Sequence, residues 1–126
     1  PLRVLERSDA PVQNDPGNYC VVAGTVLDFD MVATDQDNDS IQQWATGGPF
    51  VVESNPATYV VDEAAATIGY SRARFRWETD CSHVRNQYYT AVFKAEDSHP
   101  ETPLVDIRNM NVKVLGPPPE TPQLIP

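Results

Sequence analysis

Four stretches of this chain alternate apolar and polar residues with period two, and that pattern leaves few folds open. In "GTVLDFDMVA", residues 24–33, Leu27, Phe29, Met31 and Ala33 fall on one face and Asp28 and Asp30 on the other. This is the signature of a strand with one face in a core and one in water. The stretch "ARFRW" repeats it, with Ala73, Phe75 and Trp77 inward and Arg74 and Arg76 outward. In "YTAVFKAED", Tyr89, Ala91, Phe93 and Ala95 share one face; in "MNVKV", Met110, Val112 and Val114 do. Shorter strand candidates are residues 40–45, 50–53 and 58–62, and "DEAAATI" suits no more than a turn or two of helix.

Turn-forming clusters separate these runs: "TGGP", "SNPA" and "DSHPETP". Seven short strands without a heptad or a βαβ pattern predict an all-β, antiparallel Greek-key sandwich. At 126 residues the chain is one domain able to bury its own core. We divide it into an N-terminal arm (1–17) with an edge strand expected near residues 2–5, a sandwich (18–116) and a proline-rich linker (117–126). Five of its 12 prolines fall in that last segment, "PPPETPQLIP", which reads as extended and semi-rigid. With no Met, basic leader or apolar leader at the start, the chain is expected to be an internal piece of something longer.

Net charge is −9, and its distribution says more than its size. Residues 8–70 contain no Lys or Arg but ten acids, a surface that repels nucleic acid and anionic lipid and attracts divalent cations. No apolar stretch approaches the ~18 residues of a membrane span. Two cysteines, Cys20 and Cys81, lack zinc-type spacing. A disulfide suits an exported protein, and two buried free thiols are the alternative. Cys20 just before the second strand and Cys81 between the fifth and sixth are expected at the same pole of such a sandwich. Closing that loop would stabilise by up to ~4 kcal/mol in the chain-entropy model.

Three motifs in order, "GTVLDFDMVATDQDNDSI", "ARFRWETD" and "YYTAVFKAEDSHPETPLVDIRNMNVKVLGPPP", resemble an immunoglobulin-like module of the cadherin-like kind, found in tandem in large bacterial surface proteins. The likeness spans about residues 18–118, and "CSHVRNQYYTAVFKAED" is similar to modules in giant secreted proteins of gliding bacteria. The resemblance implies a non-catalytic spacer and adhesion scaffold at the cell surface. Its partners would be neighbouring modules of the same chain and a surface protein or glycan. A carbohydrate- or protein-recognition module, binding through its loops or Trp44, is the alternative. The chain departs from cadherin repeats in three places: "YCVVAGT" replaces the acidic start motif, "WETDCSHV" the mid-chain Leu-Asp-Arg-Glu, and "VLGPPP" the acidic linker. A complete interdomain calcium cage is therefore not implied.

The residues themselves point to a cation. The inward row Leu27, Phe29, Met31, Ala33 continues into Asp35, Asp37 and Asp39; the row Tyr89, Ala91, Phe93, Ala95 continues into Asp97. In a Greek-key sandwich the second and sixth strands run the same way on facing sheets, so both rows leave the core at one pole. Carboxylates crowded there repel one another unless a counter-ion joins them. Calcium, hard and tolerant of six to eight oxygens, fits better than magnesium. The expected ligands are Asp35, Asp37, Asp39 and Asp97. An EF-hand is excluded, because Ser40 and Thr46 stand where the loop needs Gly and Glu. A solvated acidic turn is the competing reading of the same residues. Tyr89 is expected to bond back to a nearby loop, Trp77 to lie in the core, and His83 and His99 to sit apart in loops without a nucleophile to serve.

Overall fold

The computed structural model describes residues 10–99, 101 and 103–117. Within them, eight strand segments form two four-stranded sheets: β1 (Val12–Gln13), β2 (Tyr19–Val22), β3 (Val26–Thr34), β4 (Ile41–Gly47), β5 (Thr58–Val61), β6 (Tyr70–Glu78), β7 (Tyr89–Asp97) and β8 (Val105–Leu115). One sheet has the order β1-β3-β6-β5 and the other β2-β8-β7-β4. The sheets face each other as a sandwich, and the four alternating stretches are its long strands.

Their inward rows meet as expected. Phe75, Trp77, Phe93, Met31, Met110, Val112 and Val114 are fully buried. Phe75 sits at the centre, 5.0 Å from the Phe29 ring and 5.7 Å from that of Phe93. Each such side chain contributes roughly 1.5–3 kcal/mol by leaving water.

Three features differ from the expected plan. The first strand is split: β1 pairs antiparallel with β3, whereas β2 crosses to the other sheet and runs parallel to β8. The sandwich is therefore not wholly antiparallel. Residues 50–53, expected as a strand, form none: Phe50 and Val51 complete a single helical turn, α1 (Gly48–Val51), which Gly47 opens at φ 124 and Pro49 presets, and Val52 caps it in extended conformation. The expected edge strand near residues 2–5 lies outside the described residues.

The core changes character along its axis. Towards one pole the aromatic centre gives way to a layer in which register aligns Gln13 with Ala33, Ala33 with Ser71, and Gln43 with Ala95. The polar members of this layer are buried and bonded across the sandwich. Ser71 Oγ donates to Gln43 Oε1 at 2.8 Å, and Gln13 Nε2 donates to the carbonyls of Phe93 and Asp106 at 3.0 and 2.9 Å. Next along the axis come Asp35 and Asp97. The chain enters at this pole, where Val12 pairs with Thr34, and leaves at the opposite one beyond Leu115, which pairs with Val22.

Candidate cation site at the acidic pole

Three connections meet at this pole: β3–β4, β5–β6 and β7–β8. Asp35 follows the last residue of β3, Asp39 stands two residues before β4, and Asp97 is the last residue of β7. One carboxylate oxygen of each lies within 4.8 Å of the others. Two inward rows running out together have brought acids from separate loops into one cluster.

Local bonding anchors one side of two of these carboxylates and leaves the other side bare. Asp35 Oδ1 accepts the Asp37 amide at 2.7 Å, and Asp97 Oδ1 accepts those of Leu104 and His99 at 2.9 and 3.2 Å. The Oδ2 atoms of Asp35, Asp39 and Asp97 are all shielded from solvent and have no hydrogen-bond partner. Asp35 and Asp97 are each only 4% exposed. No Lys or Arg among the described residues pairs with any of the three.

Leaving them so is unfavourable. Two full charges at this separation repel by roughly 3 kcal/mol at an effective dielectric of about 20. Burial, ahead of the negative charges of Asp39, Asp97 and Asp37, pushes the Asp35 carboxyl above the usual aspartate range, against the opposing pull of the Asp37 amide. A buried acceptor without a donor also costs about 1–3 kcal/mol.

These residues fit a hard cation. Oxygens that share one ion at about 2.4 Å lie no more than about 4.8 Å apart, a limit the cluster meets. Asp35, Asp39 and Asp97 would hold it, and the ion would supply the positive charge that three bare acceptors lack.

Asp37 stands outside this group, exposed on the rim. Strict alternation stops at Asp35. There the Asn38 amide donates to the Asp35 carbonyl at 3.1 Å, and Asn38 takes the left-handed conformation at φ 61. This turn brings the first and fifth residues of the segment together and swings the third outward.

The two cysteines do not form the expected disulfide; both are free, exposed thiols. On β2, Tyr19 and Val21 pack against the core, so alternation turns Cys20 outward. Cys81 opens a one-turn 3-10 helix, Cys81–His83, on the surface.

Tyr89 plays its expected part, its hydroxyl donating to the His83 carbonyl at 2.6 Å, and Trp77 lies fully in the core. His83, expected apart in a loop, is instead buried against the Trp77 ring at 4.9 Å. Its Nδ1 accepts the Asp80 amide at 2.9 Å and its Nε2–H donates to the Ser54 carbonyl at 2.6 Å. Ser54, His83 and Asp80 thus share a pole, but the backbone takes both ring nitrogens and the imidazole cannot serve as a base for Ser54. The Asp80 carboxylate is 3.7 Å from Nδ1, yet that nitrogen already accepts an N–H and offers it no proton.

No protein-family model matches the chain, and no curated protein matches it. Solved structures do resemble it. The sialic acid binding region of the Streptococcus sanguinis SK1 adhesin bound to 3'sLn superposes with a TM-score of 0.61 at 15% identity, over 86% of this chain and 30% of that one. An endo-fucoidan hydrolase of glycoside hydrolase family 107 gives 0.55 at 12% identity, over 86% of this chain and 14% of that one. The seventh PapD-like domain of human CEP192 gives 0.53 at 9%, over 87% and 88%. The chain spans less than a third of the adhesin and hydrolase chains it matches. At these identities the likeness shows a fold, and with the split first strand it makes this chain an immunoglobulin-like β-sandwich.

Proposed function

We propose that this chain is a non-catalytic, cadherin-like module of an exported bacterial surface protein, repeated in tandem, and that it binds calcium at its acidic pole through Asp35, Asp39 and Asp97. The observation that carries this reading is three clustered carboxylates, each with one buried oxygen that accepts no hydrogen bond. Calcium there ties the β3–β4 and β7–β8 connections to each other and stiffens the end at which the N-terminal arm enters. Chain entry and exit at opposite poles suit end-to-end stacking, in which the module acts as spacer and scaffold beside its neighbours. No helix among the described residues is long and apolar enough to cross a membrane.

Calorimetric titration with calcium chloride tests this. One ion per chain should bind, with magnesium at least tenfold weaker, and Asp35→Asn or Asp97→Asn should abolish the heat. Absence of calcium binding by the unaltered chain would contradict the reading.

A recognition role is the second reading. Trp44 lies half-buried on the outer face of the second sheet with the Lys94 ammonium 5.0 Å from its ring centre, a polar-rimmed aromatic on which a sugar could stack. Binding on a glycan array that is lost in Trp44→Ala supports it; a blank array excludes sugar recognition through Trp44.

A further inference from the structure

The cation reading names three carboxylates, but two of them are held in place by a residue with no side chain. Gly69, at the tip of the β5–β6 connection, accepts the Asp35 amide on its carbonyl at 3.0 Å and donates its own amide to the Asp39 carbonyl at 3.2 Å. It thereby brackets the segment that carries both ligands, from a stretch of chain some thirty residues away. Gly69 is buried and sits at φ +72, in the left-handed region. A Cβ there would stand 2.9 Å from the Asp35 carbonyl oxygen, 3.0 Å from Asn38 Oδ1 and 3.2 Å from Asn38 Cα. The first and third are backbone atoms that can retreat only by moving the acidic segment itself; the second is the end of an exposed side chain that can turn aside.

We infer that Gly69 is a positioning residue for the ion site: its close backbone approach sets the spacing of Asp35 and Asp39, and through them the fit of the cluster to a cation. The inference rests on the calcium reading, and it makes the site a property of three connections rather than two. Residues that orient metal ligands without touching the ion commonly change affinity by about 10–100-fold when altered.

A second glycine separates this role from ordinary backbone strain. Gly24, at the opposite pole, takes φ +99, but a Cβ there meets nothing within 4 Å. Gly69→Ala and Gly24→Ala should both lower the melting temperature in EDTA, since alanine is strained at either φ. Only Gly69→Ala should also weaken calcium binding in calorimetry, by about tenfold or more; Gly24→Ala should bind within about twofold of the unaltered chain. Equal calcium affinity in Gly69→Ala and the unaltered chain would overturn the inference while leaving the calcium reading intact. No binding by the unaltered chain would overturn both.

Amide hydrogen exchange on the unaltered chain gives a test that needs no substitution to fold. Calcium should slow exchange at Gly69 and Asp35 by about tenfold or more, as expected when an opening competes with a bound ligand, and leave Gly24 unchanged. Slowing confined to Asp35 and the Asp97 connection, with Gly69 unaffected, would contradict the bracket.

Discussion

Aspartates at the two ends of this sandwich live under opposite conditions. At the exit pole, Asp80 is saturated. Its Oδ2 accepts Ser54 Oγ at 2.8 Å and Asn55 Nδ2 at 2.9 Å, and its Oδ1 accepts the amide and hydroxyl of Ser82. Those donors, the Ser82 and Ser54 hydroxyls first, hold its carboxyl down to about 2. At the entry pole, Asp35, Asp39 and Asp97 each keep one oxygen out of water with nothing donated to it, and Asp35 is pushed upward. Burial acts first on Asp35, and Asp80 is the more open of the two. Donors supply the rest of the difference, since those of Ser82 and Ser54 hold Asp80 down. One pole supplies its own donors; the other leaves three oxygens without any, and on the calcium reading positive charge from outside meets them.

Calcium should give the largest effect. At a hundredfold excess over Kd, linkage adds about 2.7 kcal/mol to stability, which raises the melting temperature of a domain this size by about 10 °C. EDTA should reverse the shift, and an Asp35→Asn chain should show none. A calcium-independent melting curve would erase the distinction between the poles.

The same chemical change should have opposite signs at the two ends when calcium is absent. In EDTA, Asp35→Asn removes one of three crowded charges and places a donor where Oδ2 has none, stabilising the chain by about 1 kcal/mol. Asp80→Asn removes a charge that several donors favour, and should lower the melting temperature. In saturating calcium the Asp35 substitution becomes destabilising as well. Thermal melts of both variants in both conditions check all four signs.

Asp37 provides a smaller and sharper test. Exposed on the rim and outside the three-oxygen group, it should tolerate Asp37→Asn with no more than about a twofold change in calcium affinity, worth about 0.4 kcal/mol. A loss as large as that of Asp39→Asn would restore it to the coordination shell.

The smallest effect is on acid stability. Asp80 titrates at about 2 in the folded chain against an ordinary value of 3.8, so its folded value is depressed. The stability it contributes is therefore present above pH ~4 and is lost as pH falls towards ~2. Asp80→Asn should flatten that part of the melting-temperature profile measured in EDTA, and an unchanged slope would remove Asp80 from the account.

What the sequence shows of this molecule is what repeats with period two. Phe75, Phe93, Met31 and Trp77 could be placed in the core from alternation alone, and the same alternation carried Asp35 and Asp97 to one pole. It failed where hydrogen bonding in turns overrides parity. Nothing in "DQDND" distinguishes a chain that keeps alternating from one that folds back at Asn38, so the pattern groups Asp37 with its neighbours. "YCVV" is too short for its pattern to show that Cys20 faces out or that β2 joins β8 in parallel. The burial of His83 depends on a carbonyl 29 residues away, and the bracket at Gly69 on a segment that is remote in sequence. A glycine before "YSRARFRW" signals a turn, not what that turn touches.

A crystal structure of the chain grown in calcium tests the central claim most directly. One ion bound to Oδ2 of Asp35, Asp39 and Asp97, with Asp37 directed away and Gly69 still bonded to both flanking residues, is the expected result. An ion held elsewhere, or three Oδ2 atoms each satisfied by ordered water in calcium-saturated crystals, would contradict it.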